Sequence, residues 1–161
     1  MTPLPSLSLV VPLYNEEDNV VPLMKRVGEA LEDYSGEYEL VLVDDGSSDN
    51  TVATALTAGA EREYKVRVLE LQRNFGQTAA MQAGIDAAQS ELIVTLDGDL
   101  QNDPHDIPRM VQALLDRDLD LLVGWRENRK DKLVMRKIPS WVANKLIGKI
   151  TGVKIHDYGC S

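Results

Sequence analysis

The residues best suited to chemistry in this chain are carboxylates that recur in close pairs: Glu16-Glu17, Asp44-Asp45 and, across a single glycine, Asp97 and Asp99. Neighbouring carboxylates repel unless a proton or cation lies between them. A crevice holding Asp97 and Asp99 with Asp44 and Asp45 on its adjacent edge would therefore be strongly negative, and a hard divalent ion bound through oxygen resolves that charge most economically. Mg²⁺ takes one or two carboxylates and completes its shell with water and substrate phosphates, which points to a diphosphate ligand. Taken alone, Asp-Gly-Asp is as much a turn as a metal site. Other ligand chemistry is scarce. One cysteine, Cys160, excludes a disulfide scaffold and a cysteine-rich zinc module, and two histidines, His105 and His156, argue against a histidine-based site. No glycine-rich loop ends in Gly-Lys-Ser/Thr and no G-x-G-x-x-G follows the first apolar run, so neither a nucleotide triphosphatase nor a dinucleotide dehydrogenase is indicated. A phosphotransferase with Asp97 as nucleophile stays open, without an obvious partner residue nearby.

The elements that must position these groups alternate between two periodicities. Five short β-rich runs are expected at Ser6 to Leu13, Tyr38 to Val43, Val66 to Leu71, Glu91 to Leu96 and Leu119 to Val123. Helical spacing fills the intervals: Val20 to Tyr34 with Pro22 in its first turn, Thr51 to Glu61 capped by Asp49 or Ser48, Thr78 to Ala88, and a helix through Leu115 opened by Asp103-Pro104. This alternation is the pattern of a parallel sheet covered by crossover helices. Every polar cluster then follows a strand: Tyr14 to Glu17, Asp44 to Ser47, Arg73 to Gly76, Asp97 to Gln101 and Gly124 to Arg126. In a parallel sheet those carboxyl ends share one edge, and open α/β sheets bind ligands in the crevice outside it. Turn chemistry explains each cluster singly but not the set, since amino-end loops such as Ser35-Gly36-Glu37 show no paired carboxylates.

The chain has 161 residues, 43% of them hydrophobic and 27% charged, which suits one ordinary globular core and excludes a disordered tail. Its net charge of -9 conceals an asymmetry: residues 1–125 carry 8 Lys and Arg against 23 Asp and Glu, a net -15, whereas residues 126–154 carry 9 against 2, a net +7. An acidic body repels nucleic acid, and the basic stretch can meet a phosphate or an anionic membrane surface. A solvated helix face is the competing explanation. No apolar run approaches the roughly 20 residues that cross a bilayer, and the first residues lack a signal peptide's basic flank and apolar stretch.

Four blocks together carry a resemblance. Val11-Pro12-Leu13-Tyr14-Asn15-Glu16-Glu17, Val43 to Thr51, Arg73-Asn74-Phe75-Gly76 and Asp97-Gly98-Asp99-Leu100-Gln101 resemble the signature blocks of family 2 glycosyltransferases of the GT-A fold. Gly124-Trp125-Arg126, Arg129, Asp131, Arg136, Ser140, Asn144 and Asp157-Tyr158-Gly159-Cys160 resemble the polyprenyl-phosphate branch, such as dolichol-phosphate mannose synthases and bactoprenol-phosphate glucosyltransferases. The resemblance implies a Rossmann-like, mostly parallel α/β sheet with helices on both faces. It implies nucleotide binding by Pro12, Tyr14, Glu16, Asp44, Asp45 and Asp97, and Mg²⁺ or Mn²⁺ held by Asp97, Asp99 and Gln101. It also implies contact of Arg126, Arg136 and Ser140 with acceptor or donor phosphate, with Asp99, Arg126 and Arg136 as the catalytic set. The partners would be a UDP- or GDP-linked sugar, a polyprenyl phosphate and an anionic membrane surface, at the cytoplasmic side of the membrane. Simpler roles compete: packing for Tyr14, loop satisfaction for Gln101, solvated helix positions for Arg129 and Arg136.

A phosphate acceptor fits the residues at hand. A hydroxyl attacking an anomeric carbon needs a base, whereas a phosphate monoester with its second pKa near ~6 is already an anion at neutral pH. The remaining tasks are to stabilise the departing nucleoside diphosphate and to hold two anions together. Inversion of the anomeric centre is the family expectation. Two alternatives stand beside this one: the same donor module with a hydroxyl acceptor, using a carboxylate at Asp157 or past residue 161, and a non-catalytic nucleotide-sugar binding module. Residues 134–155 mix Lys137, Lys145, Lys149 and Lys154 with Ile138, Trp141, Val142, Leu146 and Ile150, so they form either a basic interfacial helix or an ordinary packed one. A single domain is expected, with residues 1–125 as its nucleotide-sugar and metal half and 126–161 as the start of an acceptor side that breaks off inside the Asp157 motif.

Overall fold

In the computed structural model, which describes residues 4–124, the first apolar run becomes strand β1, Leu7–Leu13, and all seven of its residues are buried. Burial at every position, not at alternate ones, requires cover on both faces. Strand β2, Tyr38–Asp44, is buried at six of seven positions for the same reason. Helices α1 (Glu17–Ala30), α2 (Thr51–Ala60), α3 (Gln77–Ala87) and α4 (Ile107–Asp116) alternate with these and with β3 (Lys65–Glu70) and β4 (Leu92–Thr95), and a short 3₁₀ turn at Pro104–Asp106 leads into α4. The strands pair in parallel in the order β3-β2-β1-β4. Chain progression therefore reverses between β1 and β4, the topological switch point at which such sheets place their ligand crevice.

Alternation along the strands divides the core between the two faces. Leu7, Leu9, Val11 and Leu13 of β1, with Leu40 and Leu42 of β2, pack with Val20, Leu23, Met24 and Val27 of α1, Ala55 and Ala58 of α2, and Ile107 and Val111 of α4. Val10, Val41 and Val43 face the other way, against Ala80 of α3. The small residues of α3 let it lie directly on the sheet: a Cβ on Gly84 would sit 2.3 Å from Val10 Cγ1 and 2.9 Å from Val43 Cγ2. Right-handed crossovers account for this division, since the connection that reverses direction along the sheet must cross on the opposite face.

A buried carboxylate anchors the far end of α3. Glu39, 4% exposed, accepts from Ser8 Oγ at 2.8 Å and pairs with Lys65 at 3.2 Å and Arg67 at 3.4 Å, while Arg67 donates to the Ala87 carbonyl at 2.8 Å. Burial pushes the Glu39 carboxyl up, but the Ser8 hydroxyl, Lys65 and the Gln89 amide outweigh it and hold the group below the usual carboxylate range.

Several expectations need correction. Leu119 to Val123 forms no strand: the segment is irregular and Leu121 is 74% exposed, so its apolar run takes no part in a ladder among the described residues. Helix α1 starts at Glu17 instead of Val20 and ends at Ala30 instead of Tyr34, which makes Pro22 its sixth residue and not a first-turn one. Its start is fixed from a distance, by Asp49 Oδ2 accepting from the Glu17 amide at 3.3 Å. Its end is fixed by Tyr34, which leaves the helix and donates from its hydroxyl to the Pro5 carbonyl at 2.6 Å. Helix α2 has Asn50 at its cap position, yet Asp49 supplies the oxygen, accepting from the Thr51 amide at 3.0 Å; Ser48 turns away to Asn15. The last helix, expected to open at Asp103-Pro104, begins there as a 3₁₀ turn and becomes α-helical only at Ile107; the other elements agree to within a residue.

By contact the chain divides into two units, residues 1–118 and 119–161. The first holds the four strands found among the described residues; of the second, 119–124 are described as irregular chain. Among the described residues no helix is long and apolar enough to cross a membrane.

Candidate functional site

The carboxyl ends of the four strands form one edge, and the loops that leave it are tied to one another. The ladder itself extends past the strands: the Asp45 amide donates to the Leu13 carbonyl at 2.8 Å, Leu71 to Asp44 at 2.9 Å and Leu96 to Val10 at 3.0 Å. Asn15 then adopts a left-handed conformation, φ 54°, that Asn tolerates better than most residues. Its amide donates to Ser47 Oγ at 2.9 Å and its side-chain oxygen accepts from the Ser48 amide at 2.8 Å, which ties the loop after β1 to the loop after β2.

Glu17 and Asp49 cap each other's helices. Asp49 accepts from the Glu17 amide at the start of α1, and Glu17 Oε2 accepts from the Asn50 amide at the start of α2 at 2.9 Å. Burial raises the Asp49 carboxyl, and bonds from the Thr51 hydroxyl and amide and the Glu17 amide more than offset that, so it lies below the usual range. Each helix start thus already holds a carboxylate, the position a phosphate takes in folds that bind anions through helix dipoles.

Asp44 and Asp45 are both 3% exposed. Asp44 Oδ2 accepts from the Ser47 amide at 2.9 Å, whereas its Oδ1 is buried with no hydrogen-bond partner among the described residues. A buried lone-pair acceptor of this kind is costly unless a donor reaches it. Asp45 is different: its Oδ1 accepts from the Phe75 amide at 2.7 Å and its Oδ2 from the Gly76 amide at 2.9 Å. Gly46 (φ +70°) brings this loop against the one after β3, where a Cβ would lie 2.4 Å from the Arg73 carbonyl carbon. Arg73 stacks its guanidinium 4.8 Å above the Phe75 ring, and Phe75 and Tyr14 stand about half exposed along the rim.

The Asp-Gly-Asp loop joins the same edge. Gly98 lies under β1, where a Cβ would be 2.7 Å from Leu13 Cδ2 and 3.1 Å from the Pro12 carbonyl oxygen. Asp97 Oδ1 accepts from Gln77 Nε2 at 2.9 Å; Gln77 is the first residue of α3, directly after the Gly76 held by Asp45. Asp45 and Asp97 are thus joined through three consecutive residues. Asp99 is exposed, accepts from the Gln101 amide at 3.0 Å and precedes Leu100, a left-handed residue (φ 62°) whose carbonyl accepts from Arg26 of α1 at 3.4 Å. Asp103 accepts from both the His105 ring and amide, which lower its carboxyl below the usual range.

Among the described residues no group of three His, Cys, Asp or Glu side chains is placed to hold a metal ion. The carboxylates on this loop that could serve as donors are those of Asp97 and Asp99. That suits an ion whose shell is finished by phosphate and water, and does not suit an all-protein cage. Sequence reasoning gathered Pro12, Tyr14, Glu16, Asp44, Asp45, Asp97, Asp99 and Gln101, and the structure carries all of them on or next to this edge. Arg126, Arg136 and Ser140, with Trp125, Arg129 and the basic segment 134–155, lie outside the described residues. Gln77 and Glu39 were not among the candidates. A Glu inside an otherwise apolar strand is a readable signal for a buried pair, but nothing local distinguishes Gln77.

The profile of glycosyl transferase family 2 matches residues 8–160, a span that contains every loop just described. The chain belongs to that family. Among curated relatives of this family 2 chain, the dodecaprenyl-phosphate galacturonate synthase of Rhizobium johnstonii is 64% identical over 155 residues, covering 96% of this chain and 46% of that protein. The undecaprenyl-phosphate 4-deoxy-4-formamido-L-arabinose transferase of Aeromonas hydrophila is 42% identical over 154 residues, covering 96% and 47%. The chain therefore spans about half the length of these curated relatives. Their names bear out the resemblance to the polyprenyl-phosphate branch.

Solved structures agree on the fold. Glucosyl-3-phosphoglycerate synthase from Mycobacterium tuberculosis, in complex with Mn²⁺, UDP-glucose and glycerol 3-phosphate, matches with a TM-score of 0.68 at 22% identity, covering 92% of this chain and 51% of that one. A mannosyltransferase from Pyrobaculum calidifontis, in complex with GDP-mannose and Mn²⁺, matches with 0.63 at 24%, covering 70% and 33%. The expected α/β architecture of the GT-A type, a parallel sheet with helices on both faces, is the one observed.

Proposed function

We propose that this chain is the donor-binding part of an inverting, metal-dependent glycosyltransferase that moves a sugar from a nucleoside diphosphate to a polyprenyl phosphate at the cytoplasmic face of a membrane. The observation that carries the reading is the convergence of Asp44, Asp45 and Asp97 on one sheet edge at the switch point, with the Asp44 Oδ1 acceptor buried and bare among the described residues. Asp44, with Pro12, Tyr14, Glu16 and Asp45 around it, takes the nucleotide side; an N–H of the base or a ribose hydroxyl is the donor that the bare Asp44 oxygen lacks.

Asp97 and Asp99, with Gln101 beside them, are the residues to hold Mg²⁺ or Mn²⁺. Such an ion would offset the charge of the departing diphosphate. The helix starts support the need for it: α1 and α2 already carry each other's carboxylates, and Asp45 occupies the turn into α3. A diphosphate arriving here meets acid where other nucleotide folds offer free amides. Arg126, Arg136 and Ser140 are assigned to the acceptor phosphate, which is its own nucleophile at neutral pH and needs no general base. Residues 126–161 then belong to the acceptor side and residues 1–125 to the donor side.

The names of the 64% and 42% identical relatives, both polyprenyl-phosphate transferases, support the acceptor class. The test is transfer from UDP-linked and GDP-linked sugars, with Mn²⁺, to undecaprenyl phosphate in vesicles, against a free glycan as the competing acceptor. Lipid-linked product is the expected result. Transfer to the glycan alone would favour a hydroxyl acceptor, and nucleotide-sugar binding without transfer to either would favour a binding module.

A further inference from the structure

The first turn of α3 connects the two halves of the site in a way that neither half requires by itself. Asp45 holds the turn, since its two carboxylate oxygens accept from the amides of Phe75 and Gly76 at 2.7 and 2.9 Å. Gly76, at φ +96° and ψ 153°, redirects the chain through a conformation that side-chain-bearing residues rarely adopt. Gln77 follows as the first helical residue and donates from Nε2 to Asp97 Oδ1 at 2.9 Å. A carboxylate can only accept, so the amide must present its NH₂ group to it.

The rest of α3 cannot shift to accommodate a change at this end. Gly84 is seated on Val10 and Val43, and the Ala87 carbonyl is pinned by Arg67 within the Glu39 network. The turn is therefore a fixed strut between the base-side acid and the Asp-Gly-Asp loop.

We propose that Gln77 is a positioning residue for Asp97. Its amide fixes the rotation of the Asp97 carboxylate, so that the Asp97 side chain faces the metal and diphosphate position in a single orientation set by Asp45 through the turn. The inference rests on the reading of Asp97 as a metal ligand. It adds that this ligand is oriented by a residue outside the Asp-Gly-Asp motif.

The test is a Mn²⁺ titration followed by electron paramagnetic resonance of the free ion, at saturating UDP and separately at saturating GDP, on the parent chain, Gln77→Leu and Asp97→Asn. Leu keeps the approximate volume and removes the donor. Metal-free nucleotide affinity and the metal-free unfolding temperature are measured on the same samples. Gln77→Leu is expected to weaken Mn²⁺ binding about tenfold, the low end of the scale for one hydrogen bond to a charged group. Its metal-free nucleotide affinity and unfolding temperature should stay at the parent values. Gln77→Asn, too short to reach, should behave as Gln77→Leu.

Parent-like Mn²⁺ binding in Gln77→Leu, with Asp97→Asn strongly impaired, would overturn the positioning role and leave the metal assignment standing. Parent-like Mn²⁺ binding in Asp97→Asn would overturn the metal assignment and this inference with it. An equal fall in metal-free nucleotide affinity would make Gln77 a nucleotide contact instead, and would also overturn the proposal.

Discussion

Replacing Asp45 by Ala removes a clamp whose worth can be worked from its geometry. The carboxylate is 3% exposed and accepts two backbone N–H bonds, at 2.7 Å from Phe75 and 2.9 Å from Gly76. A hydrogen bond to a charged group contributes about 1.5–3 kcal/mol. Phe75 is exposed and Gly76 partly so, so water can reach the freed amides, and the low end of that range applies to each. The net expectation for Asp45→Ala is a destabilisation of about 3 kcal/mol. At 2–4 °C per kcal/mol for a chain of this size, that lowers the unfolding temperature by about 6–12 °C. Asp45→Asn keeps one acceptor and should lose about half as much. Urea unfolding of the three proteins measures this, with the midpoint falling and the slope unchanged. A change below about 0.5 kcal/mol in Asp45→Ala, the scale of an ordinary surface substitution, would refute the view that Asp45 holds the α3 turn.

Two further perturbations probe the frame. Gly84→Val puts a branched side chain where even a Cβ would be 2.3 Å from Val10 Cγ1, so a loss of about 3 kcal/mol is expected despite the poor helix propensity of glycine; thermal unfolding reads it, and a stable variant would show that α3 does not sit as described. Glu39 titrates below its ordinary value of 4.5 when folded, so its contribution is complete above that value and is lost as the pH falls through the depressed one. Glu39→Gln should therefore be less stable than the parent at pH 7 and should lose less of its remaining stability between about pH 5 and about pH 3; parallel urea midpoints across that window would contradict the assignment.

The strands and most helices were legible because burial on two faces leaves near-continuous apolar runs, as in Leu7–Leu13 and Tyr38–Asp44. Helix ends were less so. The start of α1 depends on Asp49, some thirty residues away, and no local rule reveals that Glu17 and Asp49 cap each other's helices. Leu119 to Val123 shows the converse: an apolar run satisfies the local pattern of a strand, yet a strand exists only through a ladder. The acidic residues of the site were legible as types and positions after strands. What their oxygens do was not, because Asp45 and Phe75, or Gln77 and Asp97, meet only after the sheet has brought separate loops together.

Metal-dependent nucleotide binding is the central claim, and calorimetric titration with UDP and with GDP, each with Mn²⁺ and then with chelator, tests it most directly. One of the two nucleotides should bind the parent chain in the presence of Mn²⁺, lose most of its affinity on chelation, and fail to recover it in Asp99→Ala at any Mn²⁺ concentration. Equal affinity with and without the metal, or an unchanged Asp99→Ala, would contradict the account.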